Sequence, residues 1–269
     1  CHDITDRKHA EAQIRRVAYF DALTGLPNRS RLSATFPEIL SVVRTGRRTL
    51  AVVFLDLDGF KTINDTLGHS AGDQMIHELA QRMAMSMAKE TVVCRFGGDE
   101  FVLVLPGSDE AKAHESVRAL LERIGKPVWL DGREVAVTAS AGISVYPKDG
   151  TDADSLIRHA DTALYHAKAR GKNMAVAFNL DMDVALSRRF DLLNALRSAL
   201  QHQQFALRFQ PIMDVTTGRV IGVEALVYWN HPQFGTIGPS IFIALAEESG
   251  LIERLGEWVM DEAFRHYGM

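Results

Sequence analysis

Three carboxylates, Asp56, Asp99 and Glu100, stand where acids are unusual. Asp56 follows an apolar run, Leu50 to Leu55, read as a strand buried on both faces. Asp99 and Glu100 sit with Gly97 and Gly98 between two short apolar runs, Thr91 to Cys94 and Phe101 to Leu105, read as the strands of a hairpin with a tight tip. Acids at the end of a buried strand are poorly placed without a cation or hydrogen bonds. If the hairpin lies beside that strand, Asp56 and Asp99 can share one or two divalent cations. Hard oxygen ligands with open positions suit Mg²⁺ (or Mn²⁺) carrying a nucleoside triphosphate, and such ions serve phosphoryl or nucleotidyl transfer. The two glycines let a ligand approach the backbone. The plain alternative is a glycine-rich turn with solvated acids. Asp56 and Asp58 are expected on opposite faces of the strand end, so that one of them reaches a given site.

Lys168 and Lys172, with Arg170 between them, are predicted at the C-terminal end of a helix, spaced i and i+4. The helix dipole favours lysines there regardless of function. Beside acidic metal ligands they become candidates to neutralise the β- and γ-phosphates. Asn64 and Asp73 flank a break at Gly68 to Ser70. An amide and a carboxylate can together read the edge of a guanine. A turn-forming Asn and a helix-capping Asp account for the same residues.

The elements that must position these groups follow from periodicity. Helices are predicted over Thr5 to Phe20, Ser30 to Arg44, Phe60 to Leu67, Ala71 to Met87, Asp109 to Gly125 and Asp152 to Ala169, the last stopped by Gly171. A second hairpin is read over Val128 to Leu130 and Glu134 to Val145 around Asp131 and Gly132. Met174 to Phe178 is a closing strand. The order indicates an α+β layer fold, a largely antiparallel sheet with flanking helices, over residues 21–180. Residues 1–20 read as an N-terminal signalling or linker helix able to pair with a second copy, and 181–187 as a linker. A new segment, 188–269, opens with a helix from Arg188 to Gln201. Strands follow at Phe205 to Met213 and Arg219 to Trp229, then largely helical sequence from Phe242 to His266 with a break near Ser249 and Gly250.

The chain has 269 residues, a formal charge of −4 and 46% hydrophobic residues. That charge makes no case for nucleic-acid binding. The two cysteines, Cys1 and Cys94, are far apart and fit a reduced compartment. No apolar run reaches membrane-spanning length, and no signal peptide is present. An opening on Cys1 rather than methionine reads as a piece of something longer, whose parent is open to membrane anchoring.

Asp21 to Arg29, Phe54 to Asp65, Gly68-His69, Gly72-Asp73, Arg95 to Phe101, Ser140 to Ser144 and Ala160 to Lys168 closely resemble the GGDEF-domain diguanylate cyclases, in order and at that family's spacing over residues 18–178. The resemblance implies a nucleotidyl-cyclase, palm-like fold and a bacterial, cytoplasmic-side enzyme that condenses two GTP into cyclic di-GMP and two pyrophosphates as a homodimer. It implies that Asp56, the Leu57 carbonyl and Asp99 hold Mg²⁺, and that Glu100 supports the metal site or the 3′-hydroxyl. Gly97 and Gly98 would give room to GTP, Asn64 and Asp73 would read guanine with Phe60 beside them, and Lys168 and Lys172 would contact phosphates. The family more often has Arg at the second lysine, which forfeits a bidentate fork here. Ala88 and Thr91 replace an upstream R-x-x-D at which product inhibits many members, so such inhibition is not expected. Residues 188–269 resemble the opening of an EAL domain, a cyclic di-GMP phosphodiesterase (β/α)₈ barrel, through Gln210 to Ile212, Glu224 to Leu226, Trp229, His231-Pro232 and Ala246 to Ile252. Such a barrel needs about 250 residues, so Gln210 and Glu224 would be incomplete metal ligands, and Tyr228 stands where the family has an arginine. No phosphodiesterase activity is expected of this chain, and the partial barrel is expected to be disordered or packed against a neighbour. Thr5 to Ala10 resembles the segment that follows a PAS sensor domain. The alternative function is a weakly catalytic GTP-binding module that regulates an EAL domain in the parent protein.

Overall fold

β1, Leu50–Asp58, is apolar through Leu55, and every residue from Leu50 to Leu57 except Asp56 is a buried hydrophobic. A strand buried on both faces must be covered on both, and the rest of the first unit supplies those layers. In the computed structural model, which describes residues 16–130 and 132–267, the chain divides into two compact units, Cys1–Asp183 and Val184–Met269.

In the first unit β1 lies at the centre of a five-stranded sheet in the order β2-β3-β1-β6-β7, built with β2 (Val92–Gly97), β3 (Glu100–Pro106), β6 (Thr138–Tyr146) and β7 (Ala175–Ala177). All pairs are antiparallel except β6 with β7. The side chains of β1 alternate between two cores. Ala51, Val53, Leu55 and Leu57 pack with Met75, Ile76 and Leu79 of α3 (His69–Ser86) and with Val117 and Leu120 of α4 (Glu110–Ile124). Leu50, Val52 and Phe54 pack with Leu32, Phe36 and Leu40 of α1 (Arg29–Thr45) and with Leu156, Ala160 and Leu164 of α5 (Ala153–Ala169). Three helices begin on side-chain caps: Asn28, Asp109 and Asp152 each accept from a backbone N–H in the first turn. α2 (Phe60–Leu67) joins α3 through Gly68.

Three local expectations are revised. The run from Glu134 to Val145 is two strands: β5 (Arg133–Val135) pairs only with β4 (Val128–Leu130) in a separate ribbon, and β6 then enters the main sheet. The nine-residue pairing of β6 with β1 outweighs continuation of a three-residue ribbon, and the chain changes partner at Ala136 and Val137. α6 runs from Leu180 to Ala199, so the stretch read as a linker is helical. Third, α5 ends at Ala169, which removes Lys172 from its helical register with Lys168. The predicted helix from Thr5 falls largely outside the described residues, as do Cys1, the PAS-associated stretch and Asp131.

The second unit carries a three-stranded antiparallel sheet, β10-β9-β8, from Phe205–Met213 (β8), Val220–His231 (β9) and Gly235–Ile237 (β10). Helices α7 (Pro239–Glu248) and α8 (Ile252–Tyr267) follow, separated at Ser249 to Leu251 as expected. Its own core forms around Phe205, Trp229, Phe242 and Leu255. The indole of Trp229 donates to Gln204 Oε1 at 3.0 Å. Rather than being disordered, this segment has a packed centre. Exposed Ile212, Met213, Val220 and Ile221 lie towards the β8–β9 turn. Among the described residues no helix is long and apolar enough to cross a membrane.

Candidate active site

The β2–β3 hairpin turns at Gly98 and Asp99, and Gly98 has φ 51°, a conformation glycine adopts without strain. Arg95 fastens the turn: its Nε and Nη2 both donate to the Gly98 carbonyl, at 3.0 and 2.8 Å. Its Nη1 reaches Asp21 Oδ1 at 2.9 Å. Asp21 also accepts from the Thr24 backbone N–H and hydroxyl. The Asp21–Arg29 segment is therefore a brace for the hairpin tip. A cleft of about 320 Å³ opens between that brace and Gly97-Gly98.

The tip meets β1 as the sequence requires for a shared site. Glu100 lies directly opposite Asp56 in the antiparallel ladder, so their side chains share a face. The Leu57 N–H donates to the Asp99 carbonyl at 3.4 Å, tying the turn to the strand end. Lys168 closes the group from α5, its Nζ 2.7 Å from Asp56 Oδ2. Two features set that lysine. Gly142 of β6 lets the backbone of α5 lie on the sheet: a Cβ there would overlap the Ala160 carbonyl oxygen and the Leu164 amide nitrogen. The helix then ends in a Schellman arrangement, with Lys172 N–H donating to Ala167 O at 3.1 Å and Gly171, at φ 116°, in the C′ position.

Asp56 and Asp58 share a face, because residues two apart on a strand point the same way. They are separated by partners instead. Asp58 is taken up by the hydroxyls of Thr138 (2.7 Å) and Ser140 (2.8 Å) and by the Asn173 N–H (3.1 Å). Asp56 alone meets Lys168. Lys172 lies beyond the helix end with φ 63°, and among the described residues its side chain forms no ion pair.

Asn64, Phe60 and Asp73 make a second group around Gly72. A Cβ on Gly72 would overlap the Asn64 side-chain oxygen and come within 3.2 Å of the Phe60 ring. The absence of a side chain at Gly72 thus seats the Asn64 amide on the first turns of α3, one residue before the exposed Asp73.

The electrostatics mark the first group as short of positive charge. Burial raises the Asp56 carboxyl above the usual range, with Asp99 and Asp58 adding repulsion and Lys168 opposing it. Glu100 is raised by burial and then by Asp56, Asp161 and Asp99. Asp161, one helical face along α5 from Lys168, is itself raised by burial. It falls within the Ala160 to Lys168 stretch, whose resemblance to the family implies no role for it. Its position two turns before Lys168 is the signal that identifies it. A hard divalent cation fits this donor set, with carboxylates at Asp56 and Asp99 and the backbone between them. Among the described residues no three acidic, His or Cys side chains form a complete cage. Such a set would leave coordination positions for the oxygens of a triphosphate.

In the second unit Gln210 and Glu224 are direct cross-strand partners on β8 and β9. The Arg208 guanidinium lies 4.3 Å from the centre of the Tyr228 ring on the same face.

Residues 18–174 match the family model described as diguanylate cyclase, GGDEF domain, and residues 193–268 match part of the EAL domain. The chain belongs to the GGDEF-domain family, followed by a partial EAL domain. It is 40% identical to the cyclic di-GMP phosphodiesterase NbdA of Pseudomonas aeruginosa, over 96% of this chain and 33% of that protein. It is also 40% identical to the bifunctional diguanylate cyclase/cyclic di-GMP phosphodiesterase MucR of the same organism, over 97% of this chain and 38% of that protein. The chain thus spans little more than a third of these relatives. The solved GGDEF domain of TpbB (YfiN) from P. aeruginosa superposes with a TM-score of 0.61 at 33% identity, covering 63% of this chain and 99% of that one. The coiled coil and GGDEF domain of DgcB from Caulobacter crescentus, solved with cyclic di-GMP, gives 0.60 at 26% identity, covering 65% and 94%.

Proposed function

We propose that the first unit is a diguanylate cyclase that condenses two GTP into cyclic di-GMP, releasing two pyrophosphates. The observation that carries this reading is the convergence of Asp56, Glu100 and Lys168 at one strand end, with the Asp99 backbone tied to Leu57. Asp56, the Leu57 carbonyl and Asp99 would hold Mg²⁺ or Mn²⁺, which supplies charge neutralisation for the triphosphate and its leaving pyrophosphate. Asn64 and Asp73, with Phe60, hold the guanine. Gly97 and Gly98 give the nucleotide access to the backbone. Lys168 draws in the phosphates, with Lys172 a second cation on the following turn. Glu100, raised by burial and by like charges, is suited to take the proton from a 3′-hydroxyl. The 3′-oxygen bonds to the α-phosphorus of the other GTP as the bond to the β-phosphate oxygen breaks and pyrophosphate leaves. One site holds one reactant, so two copies must face each other.

A second reading keeps GTP binding and loses turnover, making the unit a regulator of an EAL domain in a longer protein. The similarity to NbdA, a cyclic di-GMP phosphodiesterase, favours this second reading. Incubating the chain with GTP and Mg²⁺ separates the two. Cyclic di-GMP formation supports the cyclase, whereas GTP binding without product supports the regulator. Hydrolysis of cyclic di-GMP is not expected, because the EAL match covers only residues 193–268.

A further inference from the structure

The Asp56 carboxylate is the point where two different cations are wanted. Its Oδ2 lies 2.7 Å from Lys168 Nζ, and the cyclase reading gives the same short carboxylate to a divalent ion. Its side chain is only 12% exposed, so it has little room to serve both partners at once, whereas the Lys168 side chain is 37% exposed and free to turn towards solvent. The backbone under Lys168 does not share that freedom. Gly142 seats α5 on the sheet and the Schellman turn ends the helix just beyond it. Movement of the ammonium is thus confined to side-chain torsions, which are fast and inexpensive at a partly exposed lysine.

We infer that Lys168 competes with the divalent cation for Asp56, so that the cation enters together with a triphosphate that draws the lysine off. This deepens the cyclase reading and rests on its metal assignment. A bare divalent ion must displace an ammonium from a mostly buried carboxylate. A triphosphate-bound ion brings anionic oxygens that give the ammonium a new partner, and the carboxylate is released as the ion arrives. Metal and nucleotide therefore bind with positive coupling, and by linkage each raises affinity for the other by the same factor.

The test is Mn²⁺ binding to the full chain without nucleotide, followed by electron paramagnetic resonance of free Mn²⁺. Lys168→Gln is expected to bind Mn²⁺ roughly tenfold more tightly than the wild type, the order of one partly exposed charge pair. Lys168→Arg retains the competing charge and is expected to bind as weakly as the wild type. Repeating the titration with a non-hydrolysable GTP analogue should erase or reverse the advantage of Lys168→Gln, because the phosphates have lost a partner. Asp56→Asn should abolish the tight Mn²⁺ site in every background. Unchanged or weaker Mn²⁺ binding by a folded Lys168→Gln, with Lys168→Arg equal to it, overturns the competition. Cyclic di-GMP formation by the wild type is scored separately, so loss of the cyclase reading and loss of the competition are distinguishable.

Discussion

Gly142 on β6 lies against the carbonyl of Ala160 on α5 with no space for a methyl group between them. That contact sets the height of the helix that presents Asp161 and Lys168 to the strand end. Gly142→Ala must lift α5 or distort β6, and overpacking of this kind costs about 1–3 kcal/mol, with backbone atoms on the receiving side placing it at the upper end. The melting temperature is expected to fall by several degrees. Cyclic di-GMP synthesis should fall further than the unfolded fraction explains. A variant as stable and active as the wild type would remove this role from Gly142.

Asp99→Ala is expected to reduce cyclic di-GMP formation by on the order of a hundredfold or more, as for loss of a group that stabilises transition-state charge. Its carboxylate stands at a turn whose backbone bonds are retained, so circular dichroism and melting should stay close to wild type. A rate within a few-fold of the wild type would sink the metal assignment.

Asp21 couples the brace to the hairpin through Arg95. Burial pushes its carboxyl up, but hydrogen bonds from Thr24 and Arg95 more than offset this and hold it below the ordinary 3.8. A carboxyl depressed in the folded state adds stability above its unfolded value, and that stability is lost as the pH falls through the folded one. Asp21→Asn is therefore expected to be less stable than wild type by about 1 kcal/mol at pH 7, a modest figure because the pair is partly solvated. The gap should shrink as the pH falls past the ordinary carboxylate value of 3.8 and through the lower folded-state value, where the wild-type carboxyl takes up its proton. Thermal melts of both proteins across pH 3–7 measure it.

Much of this arrangement was legible in the residue order. The continuous apolar run of β1 and the short apolar runs flanking Gly97 and Gly98 are local signals. Contacts over long separation were not. Arg95 and Asp21 meet across 74 positions, and Asp58 finds Thr138 across 80. No period in the sequence announces such pairs. The helix end at Ala169 was legible from Gly171, but the i, i+4 relation of Lys168 to Lys172 is not kept, because Lys172 and Asn173 lie past that end with positive φ, which their side chains do not advertise.

Cys94 is fully buried in β2, and burial, with Asp21 nearby, pushes its thiol up to about 12. The thiolate is the reactive form. Alkylation by iodoacetamide at pH 8 should leave Cys94 unmodified in the folded chain and modify it in denaturant, as read by peptide mass. Modification at equal rates in both states would contradict that burial.

Ala88 and Thr91 follow α3 in the connection to β2, where the Thr91 N–H closes a turn onto the Ala88 carbonyl at 2.9 Å. Neither side chain offers the guanidinium or carboxylate of an R-x-x-D pair. Initial rates of GTP condensation are expected to be unchanged by added cyclic di-GMP at concentrations far above those that inhibit R-x-x-D enzymes. A clear fall in rate, with product bound at this turn, would contradict the expectation.

The Asp21–Arg29 brace does something else for the sheet. β2 is an outer strand, and outer strands present unpaired N–H and C=O groups that invite another chain to add on. Here the Arg95 N–H is already spent on the Pro27 carbonyl at 3.0 Å, and Asn28 bridges the same residue in parallel register. At the hairpin end the sheet is closed to lateral growth. A second strand is thereby kept from adding to β2 beside the GGDEF turn, an arrangement in keeping with the proposed face-to-face pairing of two copies.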